Sequence, residues 1–219
     1  RGVKMRLAVI GGGAAGMMAS IMAAEKGVSV DLYERNEKLG KKLYITGKGR
    51  CNLTNDCDPQ DLLSNVMTNS RFLYSAVYAF DNKNVTEFFN RNGCHTKVER
   101  GGRVFPVSDH SSDVIRTLQN ELEKNHVEVR LHTKAAHILT EKYQLSENST
   151  KKRRYESRVR GVLLSDHTEI PAEAVLIATG GNSYQATGST GDGYRFAAEC
   201  GHTVTEIVPS LVPFYAEEP

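Results

Sequence analysis

The stretch LAVIGGGAAGMMASIMAAEKGVSVDLYER, from Leu7 to Arg35, decides the fold. The apolar run Arg6–Ile10 predicts a short buried strand, and the helix formers after the glycines predict a helix that Gly27 ends. Val28–Tyr33 alternates and is β-branched at its start, so it predicts a second strand, which Glu34 closes. A strand, a helix and a second strand in this order predict an α/β fold with a parallel sheet.

Residues 11–16 read GGGAAG, which fits the G-x-G-x-x-G pattern of a dinucleotide-binding turn. In that pattern Gly11 permits the tight turn, Gly13 lets backbone N–H groups approach a diphosphate, and Gly16 lets the helix pack closely on the strand. The helix N-terminus attracts phosphates, and Glu34, about 20 positions after Gly11, can accept hydrogen bonds from ribose hydroxyls. The alternative is a glycine-rich turn in an unrelated α/β protein. The nucleotide-binding residues that the motif predicts are Gly11, Gly13, Ala14, Ala15, Gly16 and Glu34.

Composition narrows the class of protein. The chain has 219 residues, 39% of them hydrophobic, and its net charge of +2 is too small to indicate a nucleic-acid or anionic-membrane partner. No apolar run approaches the ~18 residues of a membrane span. The four cysteines form no C-x-x-C pair and no zinc spacing, so we expect no metal site; a redox pair of Cys51 and Cys57 is the alternative to reduced thiols. The first residues lack a signal-peptide pattern, so we expect a cytoplasmic location.

The segment Arg35–Asn55 differs from the regular βα units that usually follow in a nicotinamide dehydrogenase. It is rich in glycine and lysine and lacks helical periodicity, so it predicts a long binding loop. Its cations Lys41, Lys42, Lys48 and Arg50 can neutralise a phosphate or attract an anionic substrate. The alternative is a solvated basic loop without a ligand.

Three long motifs resemble one family of proteins. They are GKKLYITGKGRCNLTN at 40–55, GRVFPVSDHSSDVIRTLQNEL at 102–122, and the segment 176–214 that begins LIATGGNSYQATGSTGDG. Together they resemble a family of two-domain FAD flavoproteins that includes dehydro-bile-acid reductase-like and aminoacetone oxidase-like members. The resemblance implies a Rossmann-like, three-layer FAD-binding domain of the glutathione-reductase superfamily type over 5–208, with a parallel sheet and a small antiparallel β-meander. It also implies that 209–219 begin the connection to a second, β-rich domain, which we expect to be absent from this chain.

The resemblance implies further cofactor contacts. This superfamily presents backbone groups to adenine just after the third parallel strand, which places that contact at Ala135. The ATGG turn at 178–181 is implied to lie near FAD, and Asp192 is expected either to help position the flavin end or to cap the helix that it opens. The cofactor-binding residues expected beyond the glycine motif are Arg35, Lys42, Gly49, Arg50, Cys51, Asn52, Ala135, Ala178, Thr179, Gly180, Gly181 and Asp192.

Periodicity predicts the elements between these motifs. Ser111 or Ser112 is expected to cap a helix that runs to about Asn125. The alternating residues 127–132 predict the third parallel strand. The remaining expected strands are an antiparallel meander at 137–144, 155–164 and 169–172, around a polar hairpin tip at 146–154, and a buried strand at 174–177.

These features predict a flavin-dependent oxidoreductase that acts on a small organic substrate, with NAD(P)H or oxygen as a possible redox partner. The alternatives are an NAD-dependent dehydrogenase on the same fold and a nucleotide-binding module without turnover. Flavin hydride transfer requires no nucleophile–His–Asp array, and the seven scattered histidines form none that we recognise. The catalytic residues stay unassigned, and the candidates on the substrate side are Arg50, Asn52, Ser183 and Tyr184.

Overall fold

The predicted strand–helix–strand unit forms at the start of the chain. The computed structural model describes residues 5–142 and 157–209. Strand β1 (Arg6–Ile10) leads through the glycine turn into helix α1 (Ala14–Glu25), and β2 (Ser29–Tyr33) returns parallel to β1. Gly27, at a φ of +84°, follows the helix end as predicted.

Four parallel strands form the central sheet, in the order β10–β1–β2–β6. Strand β6 (Glu128–Arg130) pairs with β2, so the prediction of a third parallel strand is confirmed. Strand β10 (Ala174–Ile177) pairs with β1 on the other side. The expectation that β10 is buried is wrong: its residues are half-buried and Ile177 is 39% exposed, because β10 is an edge strand of this sheet.

The sheet has a covered face on each side, because successive side chains of a strand point to opposite faces. On one face, Val9 packs in a cluster with Met17 of α1 and with Leu118 of α6 (Ser111–Lys124). On the other face, Ile10 packs in a second cluster with Val162 and other residues of the antiparallel sheet. The three-layer, Rossmann-like fold class predicted from the sequence is therefore confirmed.

The predicted antiparallel meander is present. Its order is β7–β8–β9, formed by Ala135–Lys142, Ser157–Leu164 and Glu169–Pro171. The expected hairpin tip at 146–154 lies outside the described residues. A second small sheet has the order β3–β5–β4, formed by Thr54–Asn55, Arg103–Pro106 and Thr96–Glu99.

The segment predicted to be one long loop contains regular structure. Helix α2 (Lys41–Ile45) is followed by a 3-10 turn at Thr46–Gly49. No helical periodicity is visible in this stretch of sequence, because α2 is barely more than one turn long. The other helices are α3 (Pro59–Ser64), α4 (Ser70–Ala79), α5 (Asn82–Arg91) and α7 (Asp192–Glu199). Within the described ranges, no helix is both long and apolar enough to cross a membrane.

The predicted serine cap of α6 is wrong. His110 holds the N-cap position and gives no side-chain cap, while Ser111 is the first helical residue. The Ser111 hydroxyl instead donates a hydrogen bond of 2.9 Å to the backbone oxygen of Tyr44 at the end of α2. A tertiary contact between α2 and α6 therefore takes the hydroxyl that a local cap would have used.

Candidate functional site

A cavity of about 700 Å³ lies where three strands of the parallel sheet end. Its lining includes Ile10, Tyr33 and Ile177, the last residues of β1, β2 and β10. Ligands of open α/β sheets bind outside the carboxyl ends of the strands, so this is the expected place for a cofactor. The sequence-predicted cofactor residues that line the cavity are Gly11, Gly13, Ala14, Ala15, Glu34, Arg35, Lys42, Ala135, Ala178, Thr179, Gly180 and Asp192.

The glycines of the first turn have two different roles. Gly11 and Gly16 are packed against backbone: a Cβ on Gly11 would lie 2.4 Å from the oxygen of Ala178, and one on Gly16 would lie 1.8 Å from the oxygen of Gly11. A Cβ on Gly13 would meet nothing within 4 Å. Gly13 is the N-cap of α1 and gives no side-chain cap, so the first N–H groups of the helix are left for a ligand in the cavity.

Glu34 is held in place beside this turn. It is 8% exposed, and its carboxylate accepts hydrogen bonds from the backbone N–H of Gly12 at 2.7 Å and of Asn36 at 2.8 Å. The side-chain amide of Asn36 donates a third, at 2.7 Å. A carboxylate has about four acceptor positions, so about one stays available for a ribose hydroxyl.

Two cations tie the segment after β2 to the glycine-rich segment before α7. Arg35 Nη1 lies 2.8 Å from Asp192 Oδ2, and Lys42 Nζ donates to the hydroxyl of buried Ser189 at 2.6 Å. The prediction that Asp192 caps α7 is wrong, because Gly191 is the N-cap residue and the Asp192 carboxylate pairs with Arg35. One ion pair and one hydrogen bond from a lysine thus join distant parts of the chain at one side of the cavity.

A buried hydroxyl in the cavity wall lacks a hydrogen-bond partner among the residues that the structure describes. The hydroxyl oxygen of Thr179, in the ATGG turn, is buried and has no hydrogen-bond partner within the described part of the chain. A Cβ on Gly193 would lie 2.8 Å from this oxygen, so the absence of a side chain there lets α7 begin directly against the turn. A buried hydroxyl of this kind is expected to find a partner, and a ligand in the cavity supplies one.

The segment Gly49–Asn52 lies outside the lining of the cavity. Arg50 stacks over Phe105 at 4.2 Å from the ring centroid and pairs with Glu99 and with Asp109, both at 2.5 Å. The hydrogen bond from Arg50 lowers the pKa of Glu99. The pKa of Asp109 is lowered most by its hydrogen bond from Lys97, and to a smaller extent by the one from Arg50. The predicted substrate-side cation is therefore fixed to the β4–β5 hairpin by a four-charge cluster.

The other predicted residues outside the lining have structural surroundings of their own. Cys51 lies in the core, where burial raises the pKa of its thiol to about 11. The side-chain amide of Asn52 faces the backbone oxygens of Thr54 and Val104. Tyr184 is 72% exposed, and Ser183 contributes its backbone oxygen to Lys42. Gly16 and Gly181 also lie outside the lining.

Sequence reasoning missed Asn36, which lines the cavity and contacts Glu34. The available signal was its place two residues after the acidic residue, but no motif distinguishes it there. Sequence reasoning also missed the partners of Ser189 and Thr190, although their segment belongs to the third family-like motif. Those partners are Lys42 and Arg35, about 150 positions away in sequence, so no local pattern reveals them.

The donors, acceptors and shape of the cavity fit a dinucleotide. An uncapped helix N-terminus with an open Gly13 suits a diphosphate, and the buried carboxylate of Glu34 suits a ribose. The hydroxyl of Thr179, which has no partner in 5–142 or 157–209, offers a further polar contact in the cavity wall. The volume is in the ordinary range of cofactor pockets, ~300–1,000 Å³.

Comparison with known proteins identifies the family. Residues 5–209 match the model of the HI0933-like protein Rossmann domain. The chain belongs to this family. It is 34% identical over 209 residues to the 3-dehydro-bile acid delta(4,6)-reductase of Clostridium scindens, which covers 94% of this chain and 46% of the reductase. It is 29% identical over 214 residues to the ribosomal RNA dihydrouridine synthase of Escherichia coli, covering 96% of this chain and 48% of the synthase.

The domain spans about half the length of the curated relatives that it matches. Among solved structures, a flavocytochrome c3 fumarate reductase in its open conformation is similar, with a TM-score of 0.62 and 20% identity over 90% of this chain and 40% of that one. At this identity the likeness shows the fold alone. The family resemblance inferred from the three long motifs is confirmed by the family match and by the reductase relative.

Proposed function

We propose that this chain is the FAD-binding part of a flavin-dependent oxidoreductase. The observation that carries the proposal is that an uncapped helix N-terminus at Gly13 and the buried carboxylate of Glu34 line the same cavity. The names of the curated relatives, a reductase and a dihydrouridine synthase, support redox chemistry over simple nucleotide storage.

The residues of the chain bind and orient the cofactor. The N–H groups at the start of α1 donate to the diphosphate, and Glu34 accepts from the ribose. Ala135, buried at the start of β7 and part of the lining, contacts the adenine edge, and Thr179 offers its free hydroxyl. When bound, FAD supplies the hydride-transfer chemistry. For Gly181 and 49–52, contact with the cofactor stays a prediction.

The substrate is proposed to be a small organic molecule. Support comes from the reductase of Clostridium scindens, which is named for its action on a 3-dehydro-bile acid. The dihydrouridine synthase relative raises RNA as a second candidate, in contrast to the expectation of no nucleic-acid partner drawn from the low net charge. NAD(P)H or oxygen is the proposed redox partner. The substrate-side roles of Arg50, Asn52, Ser183 and Tyr184 stay predictions.

The domain limits and the cell compartment are also proposals. We place the FAD domain at 5–208 and the start of a connection to a second domain at 209–219, supported by a family match over 5–209 and by relatives about twice as long. All four cysteines are free thiols, which a reducing cytoplasm maintains.

The test is an absorbance spectrum of the purified protein, followed by the mass of any released cofactor. We expect flavin-type absorption and the mass of FAD. A colourless protein that releases a nicotinamide dinucleotide would favour the dehydrogenase alternative. Turnover with a chemical reductant and an acceptor would exclude a module that merely binds nucleotide. Gel-shift titration with ribosomal RNA fragments, with a bile-acid titration in parallel, separates the two substrate candidates.

A further inference from the structure

Three residues of the segment after β2, namely Arg35, Asn36 and Lys42, tie it to the loop 182–191, which lies between the ATGG turn and α7. Arg35 Nη1 donates to the hydroxyl of Thr190 at 2.8 Å, and Lys42 Nζ donates to the backbone oxygen of Ser183 at 2.9 Å. The third tie is made by Asn36. The loop lines the cavity at 187–189, so its position decides how far water can enter.

Asn36 contacts both the ribose-binding acid and this loop. Its side-chain nitrogen donates to Glu34 Oε1 at 2.7 Å and to the backbone oxygen of Thr187 at 3.3 Å. A side-chain amide has two N–H donors, one for each of these acceptors. The same amide group therefore joins the two walls of the cavity.

The segment that carries Glu34 and Asn36 has backbone hydrogen bonds to the residues after β6, whereas the loop 182–191 packs against the Asn36 side chain. The backbone oxygen of Glu34 accepts from the N–H of Thr133 at 2.9 Å, and that of Asn36 accepts from the N–H of His132 at 3.0 Å. The segment with Glu34 and Asn36 is thus fixed to the end of β6. The backbone of the loop packs closely against the Asn36 side chain at Gly188, whose φ is +102°. A Cβ at this position would lie 2.7 Å from the Asn36 side-chain nitrogen.

We propose that Asn36 is a positioning residue that couples nucleotide binding at Glu34 to closure of the loop 182–191 over the cavity. This inference rests on the proposed ribose role of Glu34. A ribose hydroxyl on the remaining acceptor position of the carboxylate holds Glu34 still, which holds the amide of Asn36 in the orientation that Thr187 requires. An amide already oriented loses less conformational entropy when it binds the loop, so the two events favour each other.

The test measures hydrogen exchange of the backbone amides in 183–191 with and without saturating ADP. ADP carries the adenosine and diphosphate of FAD but no flavin ring to touch the loop. In the wild-type chain we expect ADP to slow exchange about fivefold or more, the lower end of ordinary coupling between two sites. In Asn36→Ala this slowing should disappear. Because coupling is reciprocal, the affinity for ADP should fall by the same factor.

Asn65→Ala is the matched control, since the Asn65 amide donates within its own helix end, to the backbone oxygen of Asp61, and it lies outside the cavity lining. We expect it to keep the slowing. Gly188→Ala is a second variant that pushes the loop away from Asn36 while leaving Glu34 and Asn36 unchanged, and it should also lose the slowing.

Slowing of equal size in the wild-type chain and in Asn36→Ala would overturn the proposal, because ADP would then act on the loop without Asn36. Unchanged exchange in a wild-type chain that binds ADP would overturn it as well. Should Asn36→Ala fail to fold, retained slowing in Gly188→Ala would overturn it. Failure of ADP to bind the wild-type chain would refute the nucleotide site itself, and the coupling with it.

Discussion

Replacing two glycines of the first turn by alanine should affect two different properties: Gly13→Ala should weaken cofactor binding, and Gly16→Ala should lower the stability of the fold. Gly13 has a φ of −83° and a ψ of −170°, which alanine adopts without strain, and its Cβ would meet nothing within 4 Å. The poorer capping by alanine and the lower entropy of the unfolded chain oppose each other, so Gly13→Ala should change stability by less than about 1 kcal/mol. In the proposed complex, however, the methyl group would occupy the space of the diphosphate. Losing two charge-assisted hydrogen bonds of about 1.5 kcal/mol each weakens FAD binding on the order of a hundredfold.

Gly16→Ala should instead destabilise the fold. Its Cβ would lie 1.8 Å from the backbone oxygen of Gly11 and 3.0 Å from the carbonyl carbon, so backbone must move to make room. Overpacking of this kind costs up to about 3 kcal/mol, and better helix propensity returns about 1 kcal/mol, leaving about 2 kcal/mol. In a domain of this size, that lowers Tm by about 4–8 °C.

The assay is thermal unfolding of the chain without cofactor, with FAD titrated into each variant by quenching of flavin fluorescence. The reasoning predicts that Gly13→Ala keeps its Tm and loses affinity, and that Gly16→Ala loses Tm. A Gly13→Ala variant that binds FAD as tightly as the wild-type chain would refute the placement of the diphosphate at α1. An unchanged Tm in Gly16→Ala would refute the close packing of the turn.

Three further predictions concern single side chains. Glu34→Gln keeps the shape of the side chain but removes a charged acceptor, so FAD binding by the same titration should weaken about tenfold or more, and equal affinity would contradict the ribose role. Arg50→Met should lower Tm near neutral pH, because Arg50 pairs with Glu99 and Asp109. In the folded chain the pKa of Glu99 lies below its ordinary value of 4.5, and that of Asp109 lies below 3.8. The ion pairs therefore stabilise the fold fully above these ordinary values, and this stabilisation is lost as the pH falls through the lower pKa values of the folded chain. The Tm difference should therefore shrink as the pH falls below these ordinary values, and a difference that stays constant with pH would contradict the pairing. Cys51, whose pKa is raised to about 11 by burial, should react with a thiol reagent at least about tenfold more slowly than the partly exposed Cys57 until the chain unfolds, as mass spectrometry of the labelled protein would show.

The fold could be predicted largely because its signals are local. The turn at 11–16 and the alternation in β2 each lie within a few residues, and the order of strands in the sheet follows from the doubly wound topology. The half-exposed state of β10 could not be predicted, since an apolar strand reads the same whether it is central or at an edge.

The sequence predicts those site residues that lie within a single recognisable motif. The lining residues from Gly11 to Glu34 belong to one contiguous βαβ unit. Arg50 was expected at the cavity, yet its carboxylate partners lie 49 and 59 positions away and hold it against Phe105. Asp192 was expected either to help position the flavin end or to cap α7; it does not cap the helix, because Gly191 is the N-cap residue and the Asp192 carboxylate pairs with Arg35. In both cases a long-range ion pair decided the outcome, and the sequence carries no local record of it.

A crystal structure of the protein with bound FAD tests the central claim most directly. The account predicts diphosphate oxygens at hydrogen-bond distance, about 2.7–3.2 Å, from N–H groups at the start of α1, and a ribose hydroxyl on the carboxylate of Glu34. Adenine dinucleotide density anywhere other than the cavity between Gly13 and Thr179 would contradict it.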